Sequence, residues 1–256
     1  MFQSFTILVA AAAVALLSSR PAAAIGETVE ADVSTRSVAI TSGFSGTEFI
    51  AFGTVENSRQ PSPEAGIYDV VVVVEGAPKP VIVRKKSRVA GLWVNTEALR
   101  FASLPSFYAI ATTRPLDEIT TAATRDANEI GFNHLRMVPA GRTYHNTQTT
   151  DIAPEFRKAI IDVKTRDRLY VTSDYGVAFI GRSLFRATVP LPPNIPVGPL
   201  VSRVYLFKNG KLLSQYRSEV KLERAGIERF LHDAAFEYPA FYAFSTLAFA
   251  LLAGLA

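Results

Sequence analysis

Residues 68–75 read Tyr-Asp-Val-Val-Val-Val-Val-Glu (YDVVVVVE). The five valines, Val70–Val74, carry stiff β-branched side chains that pack well on a pleated surface and lose rotamer freedom in a helix. Strand side chains alternate between faces, so an unbroken apolar run must be covered on both sides or it pairs with other chains. A strand buried on two faces commits its surroundings to a mainly β core.

Upstream of it, Glu30–Ile40 (EADVSTRSVAI) alternates polar and apolar, as a strand with one wet face does, and Phe49–Val55 follows. NSRQPSPEAG, residues 57–66, breaks the pattern before the valines. Downstream, Gly76-Ala77-Pro78-Lys79-Pro80 turns the chain into Val81–Val83, and Leu92-Trp93-Val94 makes a short last strand. Short strands at this spacing predict an immunoglobulin-like β-sandwich over residues 25–104, without a disulfide because the chain has no Cys. Inside it, Arg84-Lys85-Lys86-Ser87-Arg88 puts four cations into five residues. They read as a charged hairpin edge that blocks sheet-to-sheet pairing; a phosphate or lipid-headgroup patch is the alternative.

Residues 105–170 change character and read as a helical insert and linker. Leu116, Ile119, Ala123, Ala127 and Ile130 recur at near-helical spacing with Asp117 and Glu118 in the first turn, predicting an amphipathic helix that ends at Gly131. A second helix begins at Pro154 with Phe156, Ile160 and Val163 on one face and Asp151 as its cap. MVPAGRTYHNTQTTD, residues 137–151, is a polar loop between them, and Leu104-Pro105-Ser106-Phe107-Tyr108 is expected to pack the two domains together.

Residues 171–223 return to strands and predict a second β-sandwich: Gly176–Ile180, Leu184–Val189, Ser202–Phe207 and Glu219–Glu223. Asn209-Gly210 between VYLF and LLSQY is a strong hairpin signal, since both residues tolerate positive φ. Pro190–Pro199 (PLPPNIPVGP) holds five prolines and reads as a stiff connector from one sheet to the other.

The two ends set the location. Residues 2–17 (FQSFTILVAAAAVALL) are uncharged and apolar and run into Pro21 and Ala22-Ala23-Ala24, the pattern of an export signal cut after Ala24, which makes residues 1–24 a signal peptide; an uncleaved N-terminal anchor is the alternative. Residues 224–237 read as a charged juxtamembrane helix. Residues 238–256 carry no charge, start with Tyr238 and Pro239, and are apolar all round; they predict a transmembrane helix with its aromatic rings at headgroup level. The protein is thus expected in the cell inner membrane as a single-pass chain, the bulk of it in the periplasm and its partner the lipid bilayer. The 27 cations against 23 acids leave a surplus of only three once Arg20 departs with the signal, which argues against nucleic acid as a partner. With 48% hydrophobic positions the chain is not a disordered one.

Few residues carry a catalytic or ligand-binding pattern. His134, His145 and His232 have no metal-ligand spacing, and without Cys there is no thiolate site. Neither Ser45 nor Ser183 completes a nucleophile elbow, no nucleotide-binding glycine motif occurs, and Asp117, Glu118 and Asp167 read as capping or solvated acids. No catalytic, cofactor-binding or metal residue can be nominated, and no cofactor is expected. The small-residue loop Thr41–Thr47 (TSGFSGT) is able to approach a partner closely.

Several blocks carry a resemblance: TSGFSGTEFIAFG, YDVVVVVEGAPKPVIVRKKSRVAGLWVN, LPSFYAIATTRPL, FRATVPLPPNIPVGPLVSRVYLFKNGKLL and the closing LAFALLAGLA. Together they resemble the alphaproteobacterial putative transmembrane protein family. The resemblance implies an exported protein with one C-terminal span and no established catalytic residues. Because relatives accompany genes for sulfite-exporter-like permeases, it also implies an accessory role beside a transport protein. The preferred expectation is a non-enzymatic protein-interaction module with an integral-membrane protein partner. The alternative is a small-anion-binding or catalytic ectodomain, in which Arg114, Arg125, His134 and Arg142 would gather into one pocket around an oxyanion.

Overall fold

Val70–Val74 are completely buried and form the middle of strand β4 (Asp69–Gly76). In this computed structural model the described residues are 26–41, 43–140, 154–224, 230 and 234–255. β4 lies between β7 (Tyr108–Thr112) and β11 (Gly198–Lys208), antiparallel to both. Beyond β11 come β12 (Lys211–Arg224) and β2 (Ser37–Ile40); beyond β7 comes β8 (Tyr170–Ser173), giving the six-stranded order β2-β12-β11-β4-β7-β8. A four-stranded sheet packs against it in the order β1-β3-β10-β9, from β1 (Thr28–Val33), β3 (Thr47–Glu56), β10 (Leu184–Leu191) and β9 (Val177–Phe179).

Register shows why the valine run must be apolar on both sides. Val70, Val72 and Val74 share a face with Ser202, Val204 and Leu206, and this face meets the four-stranded sheet, where the Ser214 hydroxyl opposite Leu206 accepts from the Val29 amide. Val71, Val73 and Glu75 share the other face with Arg203 and Tyr205, which reach the helical segment. That segment contains α1 (Leu116–Ile119), α2 (Ala122–Asn128) and α3 (Pro154–Arg166), and buries Ile119, Ile130, Leu135, Met137, Phe156 and Ile160. Rings of Tyr108, Phe132 and Tyr170 meet with centroids 5.4–5.9 Å apart and close this layer onto the sheet.

The molecule is mainly β, and its sheet topology differs from the two expected sandwiches. β3 from the first half pairs with β10 from the second, and β4 pairs with β11, so both sheets mix strands of residues 25–104 and 171–223. Two pairs, β2–β12 and β7–β8, are parallel, which the antiparallel immunoglobulin arrangement lacks. A parallel neighbour requires a long crossover, and the helical insert provides the one from β7 to β8. It is therefore a covering layer of the sheet and not a linker, and Leu104–Tyr108 enters the common core instead of joining two cores.

Local readings fare better. The Asn209-Gly210 turn has both residues at positive φ, 50° and 79°. The proline-rich connector does lead from β10 in one sheet to β11 in the other. Glu30–Ile40 is broken at residues 34–36 and its halves join different sheets, with Ser34 donating to Ile50 O and Arg36 O accepting from Lys221. The helix expected to end at Gly131 is instead two pieces, because Thr121 leaves the helix to cap α2 through Thr124 N, and the left-handed Glu129 (φ 55°) stops it.

Val81–Val83 and Leu92–Val94 belong to much longer strands, β5 (Pro78–Val89) and β6 (Leu92–Pro105), paired with each other as a two-stranded arm whose inner part also bridges Pro139 through Phe101. α3 rests against the middle of the arm, where Lys85 Nζ reaches Glu155 Oε2 at 2.7 Å.

The signal peptide, Arg142, His145, Asp151, His232 and most of the juxtamembrane segment lie outside the described residues. β12 continues to Arg224, so that expected helix does not begin there. Within residues 238–256, expected to be a transmembrane helix, the structure has α4 (Pro239–Leu255), 17 residues. Among the described residues no helix is long and apolar enough to cross a membrane.

Candidate functional site

A cleft of about 530 Å³ opens on the helical side of the six-stranded sheet, where the C-terminal end of α2 meets β11 and β12. The antiparallel register sets Arg203 directly across from Arg217, and Tyr205 across from Gln215. Arg203 forms an ion pair with Glu75 on β4 and donates to the Asn128 carbonyl at 3.4 Å, while the Tyr205 hydroxyl donates to the same carbonyl at 3.3 Å. A helix C-terminus leaves its last carbonyls unpaired, and here the sheet's cations and hydroxyls satisfy them.

Behind the cleft, the Tyr108 hydroxyl donates to Glu129 O at 2.8 Å and accepts from Gly131 N at 3.1 Å. Burial pushes the Tyr108 and Tyr170 hydroxyls up, so both stay protonated donors. Burial also raises the Glu75 carboxyl above its ordinary value and outweighs the opposing pull of Arg203. A buried, raised glutamate is a feature that marks many acid–base centres. Here its charge is already answered by Arg203, and the cleft lining contributes Asn128, Glu129, Gln215 and Tyr216 but no histidine or serine. What the arrangement does chemically is pin α2 to the sheet. The Arg203 Nε atom is buried with no partner among the described residues.

Of the residues expected to converge on an oxyanion, the three that are described, Arg114, Arg125 and His134, are each taken up by a carboxylate. Arg114 is held by Asp69 through two hydrogen bonds of 2.7 Å, Arg125 is paired with Asp117, and His134 with Asp126. Each cation has its own carboxylate, and Glu118 approaches Arg114 at 4.0 Å. Among the described residues no group of three or more His, Asp or Glu is placed to hold a metal ion. Ser183 lends its carbonyl to Val55 N, and Asp167 donates its amide to Val163 O and lends its carbonyl to Asn194. The Arg203–Glu75 pair escaped the sequence reading, although the polar Arg203 inside the apolar strand VSRVYLF was a signal that something must answer it.

The other conspicuous surface is α4. None of its residues is buried and none is charged; Phe241, Phe244, Phe249, Leu252 and Leu255 each stand well exposed. Thr246 and Ser245 hydroxyls donate back to helix carbonyls, which hides their polarity inside the helix.

Compared with known proteins, residues 28–256 match the family described as Putative transmembrane protein (Alph_Pro_TM). No curated protein and no solved structure matches the chain.

Proposed function

The chain belongs to this transmembrane protein family, and on that premise we propose that it is an exported, periplasmic protein held in the inner membrane by one C-terminal span. It acts as a non-enzymatic accessory module for a membrane complex, one that transports solutes. The observation that carries the reading is α4, a helix uncharged along its length with no buried side chain. Water disfavours such a surface at roughly 25 cal/mol per Å², and each of its phenylalanines and leucines would gain about 1.5–3 kcal/mol by burial in lipid. The 17 residues of Pro239–Leu255 extend about 26 Å, at the lower bound of the 17–25-residue range of membrane helices.

The accessory role is supported by the paired state of the cleft cations and by the sandwich itself, which offers rigid edges and a long arm. An alkaline carbonate wash of membranes tests the anchor. The full chain stays with the vesicles and a variant lacking residues 238–256 is released; release of the full chain would overturn the reading. Mild-detergent purification from native membranes tests the accessory role, with an integral-membrane transporter expected in the same complex.

A further inference from the structure

The β5–β6 arm is a direct continuation of the β4–β7 pair. Glu75 pairs with Tyr108 and Pro78 with Pro105, the same register three residues further along. Between them Gly76 N donates to Phe107 O at 2.8 Å and Ser106 N to Ala77 O at 3.1 Å, so the ladder runs unbroken out of the sheet. At about 3.3 Å per residue the 12 residues of β5 extend roughly 40 Å. Leu200 pairs with both Gly76 and Val220, and Gly198 with Leu222, so β12 delivers the chain towards α4 from the very end of the sheet where the arm departs.

The outer half of this arm has an unusual surface. Residues 78–105 contain six cations and one acid, Glu97, a surplus larger than the whole chain's +4. Arg84, Lys86 and Arg88 have no carboxylate within ion-pair distance among the described residues; Arg88 Nε reaches only the Gly91 carbonyl. Around the Ala90-Gly91 turn, Leu92 and Trp93 are each 70% exposed and Val89 52%. Trp93 stands directly across from Arg88, and Leu92 across from Val89. A ribbon tip that mixes open apolar side chains, a tryptophan and unpaired cations matches an interface with apolar depth, an amphipathic boundary and negative headgroups.

We propose that the arm tip is a second membrane contact: Val89, Leu92 and Trp93 enter the headgroup region while Arg84, Lys86 and Arg88 bind anionic phospholipid headgroups. This rests on the reading of α4 as the anchor, which places this end of the sheet at the bilayer. Anchor and arm together hold the six-stranded sheet at a fixed attitude to the membrane, which the anchor alone could not do.

Trp93 is the chain's one tryptophan, so its emission reports on the tip without labelling. The full chain is reconstituted into phosphatidylcholine vesicles with and without phosphatidylglycerol, and flotation measures anchoring separately. With phosphatidylglycerol present, Trp93 emission shifts to the blue and brominated lipid quenches it. The Arg84→Gln/Lys86→Gln/Arg88→Gln variant loses this shift, as does salt raised from about 0.1 to about 1 M. Each cation near an anionic surface contributes roughly fivefold, so the triple variant should weaken the contact about a hundredfold. A chain that floats while Trp93 stays unshifted overturns this inference and leaves the anchor intact. A chain that does not float overturns both. An equal shift in pure phosphatidylcholine overturns the assignment to anionic headgroups. A photo-crosslinker at Leu92 that captures protein and no phospholipid in native membranes shows that the tip serves a protein partner instead.

Discussion

Gly53 is the closest point of approach inside the four-stranded sheet, and replacing it with alanine is a demanding test of the packing. It sits mid-way along β3 on the inward face with Phe49, Ala51 and Val55, between Ala31 of β1 and Phe185 of β10. A β-carbon there would lie 2.3 Å from Phe185 Cζ and 2.7 Å from the Glu30 carbonyl oxygen. The phenyl ring is fully buried and packs edge-on against Phe179 at 5.9 Å, so it has nowhere to retreat, and the second obstacle is backbone. Overpacking of a filled core costs about 1–3 kcal/mol, and two obstacles put Gly53→Ala at the upper end, near 3 kcal/mol. For a domain of this size that lowers the melting temperature by roughly 6–12 °C. Thermal unfolding followed by circular dichroism reads it directly. In the double variant Gly53→Ala/Phe185→Leu the smaller side chain yields space, so the two effects should fall short of additive by about 1 kcal/mol. A Gly53→Ala protein melting within about 1 °C of the parent would refute the proposed close packing.

Three further outcomes follow from the polar contacts. Asp69→Ala removes the two-pronged partner of Arg114 and the acceptor of the Thr113 hydroxyl, and should cost about 2 kcal/mol in denaturant unfolding, limited because Arg114 is partly solvated. Tyr108→Phe strands the Gly131 amide and the Glu129 carbonyl, and should cost about 2 kcal/mol with faster amide exchange at Gly131. Glu75 has a raised native pKa, so the fold binds its proton more tightly than the unfolded chain does. Its contribution is complete below the ordinary value of 4.5 and is lost as pH rises through the native value. Relative to Glu75→Gln, the parent should therefore lose stability as pH climbs from about 4.5, and a parallel pair of stability–pH curves would contradict the burial of Glu75 beside Arg203, Glu129 and Arg217.

Local signals were legible in the sequence wherever the physics was local. The valine run, the Asn209-Gly210 turn, the proline connector and the Pro154 helix start each declare themselves through a few neighbouring residues. Strand partnership does not. Nothing near Phe49–Val55 says that its neighbour is Leu184–Leu191, some 130 positions on, so two consecutive groups of strands read as two sandwiches. The arm was truncated in the reading because only its valines and Leu92-Trp93-Val94 look like strand. Its cationic stretch has strand structure because it pairs with β6, not because of propensity. Val163 shows the same limit: it lies on the helical apolar period but is 51% exposed, since nothing packs over that part of α3. In the candidate site, isolated charges were visible, but the pairs that join distant segments, Asp69 with Arg114 and Glu75 with Arg203, were not; the pairs of Asp117 with Arg125 and Asp126 with His134 are local.

The absence of cysteine from the sequence allows the central claim to be tested with single engineered thiols. Ser245→Cys lies in the middle of α4, and Glu64→Cys lies on an exposed turn before β4, at the end of the sheet opposite the arm. Spheroplasts expressing each variant are treated with a membrane-impermeant maleimide, before and after detergent. The account predicts that Glu64→Cys labels at once, whereas Ser245→Cys labels only after the bilayer is dissolved. Immediate labelling of Ser245→Cys in intact spheroplasts would contradict it.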